Sequence, residues 1–139
     1  MSKLKSGANV VELENVKTAI AQSENKLSTL LYQLLLGNEV DLKKIENTLE
    51  WFITWRIKLI DLNNTMWCDG VSNLDITIDN NSEVSIYASI RIGPENDVSK
   101  IYTGILQGWF RLKDGQKVIK HYDIAASVNE KTYAMSDKT

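Results

Sequence analysis

The only histidine in the chain, His121, stands two residues before Asp123 in the stretch IKHYDIAASV. On a strand, residues two apart project from the same face. In an enclosed pocket, a carboxylate beside an imidazole raises its pKa and holds it for general acid-base work. His121 and Asp123 are therefore the candidate catalytic pair. The plainer alternative is a polar strand end, or a buried histidine satisfied by backbone. Same-face neighbours at this spacing are also about 7 Å apart, long for a direct hydrogen bond.

These residues need a hairpin to position them. Asp114-Gly115 lies between two apolar runs, and Asp-Gly suits a type I′ turn with positive φ at both central residues. A two-residue loop there pairs Lys113 with Gln116, Phe110 with Ile119, Gly108 with His121 and Leu106 with Asp123. That register predicts two faces. Leu106, Gly108, Phe110 and Ile119 join His121 and Asp123 as a pocket face, with Gly108 leaving room above the imidazole. Ile105, Trp109, Arg111, Tyr122 and Ile124 form a contact face, since aromatic residues and arginine mixed with aliphatics are what interface cores favour.

No other constellation carries specific chemistry. The sequence contains no CxxC, HExxH, GxSxG or glycine-rich phosphate loop. Its acidic residues lack metal-ligand spacing, so neither a metal nor another cofactor is expected. A formal net charge of −2 gives no basic excess to steer the protein toward nucleic acid. A single cysteine, Cys68, leaves no internal disulfide and reads as a small buried hydrophobe in a reducing compartment. With no apolar run approaching the ~18 residues of a membrane span and no signal-like start, a cytoplasmic protein without membrane contact is expected.

The rest of the chain supplies the scaffold. From Asn9 to Leu36 apolar residues recur at Leu13, Val16, Ile20, Leu27, Leu30 and Leu34, the spacing of an amphipathic helix, with Gly37-Asn38 as its stop. A coiled-coil seam is the alternative, disfavoured because no charged pairs are ordered around it. Asp41 is the predicted N-cap of a second helix. Trp51–Ile60 satisfies both helical and alternating spacing, and a continued helix is slightly preferred. Trp51 and Trp55 read as core or interface anchors rather than a ligand cage.

Asn63-Asn64 and Asp69-Gly70 read as punctuation of a connecting segment through Met66, Trp67 and Cys68. Two strands follow, with the rows Leu74-Ile76-Ile78 and Val84-Ile86-Ala88-Ile90-Ile92. A three-residue loop at Asn80–Ser82 aligns Ile78 with Val84 and Ile76 with Ile86, whereas a two-residue loop would bury Glu83 and Ser85. Residues 1–8 and 130–139 are expected to be loose ends of a single domain spanning 1–139.

Helices first and strands after predict an α+β fold: two N-terminal helices packed on one face of a curved antiparallel sheet of at least four strands. LLYQLLLGNEVDLKKIENTLEWFITW, VSNLDITIDNNSEVSIYASI and GILQGWFRLKDGQKVIKHYDI together resemble the NTF2-like superfamily, which includes SnoaL-type cyclases. That resemblance implies a cone-shaped fold with a pocket between helices and sheet, and often a dimer through the outer sheet face. No catalytic residue of that family is carried by matching positions. The expected function is a small α+β binding module that self-associates, taking a small apolar ligand or a protein partner. A small lyase, isomerase or hydrolase using His121 and Asp123 is the alternative, as is a stand-alone inhibitor or immunity-type interaction protein.

Overall fold

The computed structural model describes residues 2–63, 65–79, 83–113 and 116–137, with side chains from residue 12 onward. Two helices, α1 (Ser2–Leu35) and α2 (Leu42–Ile60), precede five strands: β1 (Met66–Asp79), β2 (Glu83–Pro94), β3 (Tyr102–Leu112), β4 (Ile119–Val128) and β5 (Lys131–Ser136). The strands form one antiparallel sheet in the order β1-β2-β3-β4-β5. A short 3₁₀ turn, Val98–Lys100, links β2 to β3. This is the α+β arrangement expected, with the helices packed against one face of the sheet.

α1 ends as its sequence predicts. Gly37 takes φ 84°, and the Gly37 and Asn38 amides donate to Leu34 and Gln33 carbonyls at 3.0 Å each, satisfying orphan carbonyls of the last turn. Asp41 caps α2, its carboxylate accepting from the Lys43 amide at 3.0 Å. The segment with dual periodicity, Trp51–Ile60, is helical. Ile45, Leu49, Phe52, Ile53 and Ile57 make one fully buried stripe, and burying that stripe decides between the two spacings.

The polar flank of α2 has its own task. Glu46, Glu50 and Thr54, spaced four apart, accept from the backbone amides of Leu74 (3.1 Å), Val71 (3.1 Å) and Cys68 (3.0 Å). α2 thus lies along the edge strand β1 and supplies acceptors to its amides.

Between helices and sheet lies an aromatic core. Phe52 packs edge-on against Phe110 and Tyr122, with ring centroids 6.1 and 5.3 Å away, and Leu27, Leu31, Ile90 and Leu106 surround them without exposure.

Several expectations are corrected. The segment expected to be a connector, Met66 to Gly70, is the start of β1. Register shifts at Cys68/Gly70 and Ser72/Asp75, the second with Asn73 at φ 53°, set the inward residues at Cys68, Val71, Leu74 and Ile76. Bulges remove strict alternation, so a period-two reading fails there. Of the expected loose ends, the first is helical backbone from Ser2, and the second contains β5. Asn129 and Glu130, at φ 47° and 69°, make the two-residue turn between β4 and β5, and Tyr133 and Met135 plug the core. Asn-Glu lacks the glycine that announces such a turn. By contrast, β1 and β2 pair as predicted, Ile78 with Val84 and Ile76 with Ile86. The loop Asn80–Ser82 itself lies outside the described residues.

The β3–β4 hairpin has a different register. Arg111 pairs with His121, Trp109 with Asp123, Gly108 with Ile124 and Leu106 with Ala126. The Lys113 amide donates to Val118 at 2.8 Å, so the loop spans four residues rather than two; Asp114 and Gly115 lie outside the described residues. A loop longer by two preserves the faces. The register shift after Arg111, which leaves Lys120 extra, exchanges them. Burial explains the shift: it turns Tyr122, Ile124, Ala126 and Val128 inward, where the predicted register would have buried His121 and Asp123.

Candidate functional site

α1 and α2 form an antiparallel helical pair whose seam opens away from the buried stripe. On α2, Lys44, Asn47, Thr48, Trp51 and Trp55 are linked by three- and four-residue spacings. On α1, Ala19, Gln22, Ser23, Asn25, Lys26 and Thr29 are linked in the same way. Such rows lie on one side of a helix. Between them runs a groove with a cavity of about 680 Å³ at its tryptophan end and one of about 580 Å³ toward Lys44. Asn25, Lys26, Asn47 and Thr48 line both, so the two adjoin.

Trp51 is 58% exposed, and its ring stacks against the half-buried Trp55 with centroids 6.5 Å apart and planes 23° from parallel. A large aromatic left open beside a preformed groove is a prospective anchor point, since burying it removes a large apolar area from water. Besides Ala19 and Leu30, the other lining groups are amides, hydroxyls and two lysines, with no carboxylate among the described lining residues. In a chain of net charge −2, this seam is locally cationic.

The structure places the expected site residues elsewhere. Leu106 and Phe110 are fully buried core, and Ile119 is half-buried beside Leu112. Gly108 leaves no room above an imidazole: it sits at φ 152° against β4, where an added Cβ would collide with the Asp123 carbonyl and Ile124. Tyr122 and Ile124, expected on the contact face, belong to the core. Ile105, Trp109 and Arg111 do lie together on the outer face, now joined by His121 and Asp123.

His121 pairs with Asp137 rather than Asp123. Its Nδ1 stands 2.8 Å from Asp137 Oδ2, while Asp137 Oδ1 accepts from the Tyr122 amide at 3.1 Å. The imidazole hydrogen bond holds the Asp137 carboxyl below the usual carboxylate range. Nearby, Arg56 donates to the Ser136 carbonyl at 2.9 Å and lies over the Tyr122 ring at 5.7 Å. Burial pushes the Tyr122 phenol up to about 12 and raises the Glu24 carboxyl, the latter against the attraction of Arg56. This cluster fastens the end of β5 to β4 and to α2.

Burial likewise pushes the Cys68 thiol up to about 12, keeping it protonated and unreactive at neutral pH. Among the described residues, no group of three or more His, Cys, Asp or Glu is arranged to hold a metal ion. Among the described residues, no helix is long and apolar enough to cross a membrane.

The groove was legible in one respect. Trp51 lies off the apolar stripe of its own helix, and a tryptophan on the polar side has no packing reason to be there. Asp137 carried no signal, because its partner lies 16 residues away across an unrecognised strand.

Comparison with protein-family models, with curated proteins and with solved structures finds no match in any of the three.

Proposed function

We propose that the protein is a small binding module that captures an acidic, amphipathic helical segment of a protein partner in the α1–α2 groove. The exposed Trp51, stacked on Trp55 at the head of that groove, carries the reading. A helix laid between two others buries its apolar side on the tryptophans, the helix-in-groove mode of recognition. Gln22, Asn25, Asn47 and Thr48 can hydrogen-bond its flanks, and Lys26 and Lys44 favour acidic over basic segments. A display library of acidic amphipathic helices of about four turns tests it. Peptides selected on the native protein should lose binding to Trp51→Ala at least tenfold and weaken with salt. Equal binding to the variant overturns the reading.

A second reading, self-association through the outer sheet face, is favoured by Tyr87 and Ile105, which are 50% and 43% exposed there alongside Trp109. Sedimentation across concentrations should show a dimer that Trp109→Glu dissociates; a monomer throughout removes it. Within this proposal the NTF2-like resemblance stands on the order of elements, helices then an antiparallel sheet. A cytoplasmic location stands on the lone buried thiol of Cys68.

A further inference from the structure

The sheet extends past the helices that cover it. At the end where β1 begins, β2 ends, β3 begins, β4 ends and β5 begins, a cavity of about 320 Å³ opens on the inner side. No residue of α1 or α2 is among its described lining residues. Its floor is Ile92, Val128 and Tyr133, each nearly inaccessible, with Met66 and Pro94 as apolar walls. Its rim is cationic and hydrogen-bonding: Lys100, Lys131, Asn129 and Tyr102.

The two lysines differ in their surroundings. Lys131 Nζ lies 4.8 Å from the centre of the Tyr133 ring, which holds the ammonium at the mouth of the cavity. Lys100 Nζ stands 3.8 Å from Asp97 Oδ2, an exposed pair, while Asp97 Oδ1 accepts from the Ser99 amide at 3.1 Å and from the Ser99 hydroxyl at 2.5 Å. Asn129 is fixed by the left-handed turn that joins β4 to β5. An apolar floor below convergent cationic groups is the pattern of a pocket for a ligand with an apolar body and an anionic head. At this volume, near the low end for ligand sites, the body is one or two rings or a short chain.

From this geometry we infer that the sheet-end cavity binds a small monocarboxylate with an aromatic or short aliphatic body. The body rests on Ile92, Val128 and Tyr133, and the carboxylate meets Lys100 and Lys131. This site is separate from the helical groove and does not depend on it.

The probes are naphthalene-2-carboxylate, decanoate and the neutral naphthalene-2-carboxamide, titrated into the full chain and followed by amide chemical shifts. Both carboxylates should move the resonances of Tyr102, Asn129, Lys131 and Tyr133. The carboxamide should bind about five- to tenfold more weakly, the share that two screened ammonium groups supply. In the double variant Lys100→Gln/Lys131→Gln, naphthalene-2-carboxylate should fall to the affinity of the carboxamide while the carboxamide is unchanged. Val128→Phe, which fills the floor, should weaken all three probes. Trp51→Ala should change none of these titrations, which separates failure here from failure of the groove reading. Equal affinity of acid and amide, shifts confined to other residues, or no shifts at millimolar probe each overturn the inference.

Discussion

Asp137 binds the imidazole of His121 with one carboxylate oxygen and the amide of the next residue, Tyr122, with the other. A single side chain beyond the last strand therefore grips two consecutive residues of the neighbouring strand, one through its side chain and one through its backbone. This bifurcated hold sets the pH response of the chain's end.

Since the folded pKa of Asp137 is depressed, its contribution to stability is present above the ordinary aspartate value of 3.8. It is lost as pH falls through the folded value. Asp137→Asn should destabilise the protein at pH 6–7 by no more than about 1 kcal/mol, because the pair is partly exposed. The gap between native and variant should close in acid. Urea melts at several pH values measure it, and a gap that widens on acidification would contradict the assignment.

Glu24 works in the opposite sense. Its folded pKa is raised, chiefly by burial, so its favourable contribution is confined to pH below the ordinary 4.5 and is lost as pH rises through the folded value. Glu24→Gln should accordingly stabilise the protein at neutral pH and lose that advantage below pH 4.5. Thermal melts at pH 7 and pH 4 compare the two directly.

Removing an acceptor from the α2 ladder should be costly out of proportion to its exposure. Glu50→Ala leaves the Val71 amide without its carboxylate, and a hydrogen bond to a charged group contributes about 1.5–3 kcal/mol. Hydrogen exchange at Val71 should accelerate more than at the β2–β3 amides. Uniform acceleration would mean that the ladder is not a local fastening.

Adjacent residues on α2 should behave oppositely. Phe52 is fully buried against Phe110 and Tyr122, so Phe52→Ala should cost about 3–5 kcal/mol. Trp51→Ala should leave the melting transition nearly unchanged and remove peptide binding. Denaturation curves together with the binding measurement separate a core residue from a contact residue one position apart.

Gly108→Ala should be among the most disruptive single-atom additions. It demands φ 152° of an alanine and drives a methyl into the β4 backbone, a loss of roughly 3 kcal/mol or more. A folded variant with native stability would require β3 and β4 to separate locally, visible as exchange at Ile124.

Much of this architecture can be read from residue spacing. Apolar rows specify α1 and the β1–β2 register, because each is a local pattern tied to burial, and N-cap chemistry marks Asp41. The β3–β4 faces are misread when register is taken from the turn. Asp-Gly implies a short loop, whereas the row Tyr122, Ile124, Ala126 and Val128 already states which side must face inward. Where a turn signal and an apolar row disagree, burial decides and a bulge absorbs the difference. β5 is hidden because two inward residues are too few for periodicity. The groove is hidden because it is formed by what two helices leave unfilled, and no single segment encodes a vacancy.

The acceptor ladder of α2 has one more consequence, for how copies of this chain could join edge to edge. Glu46, Glu50 and Thr54 occupy β1 amides from Cys68 to Leu74, and Asp75 and Asp79 place charge on the rest of that strand. β5 is the other terminal strand of the sheet. A strand approaching β1 between Cys68 and Leu74 would have to displace those three acceptors, which disfavours edge-to-edge addition along that stretch.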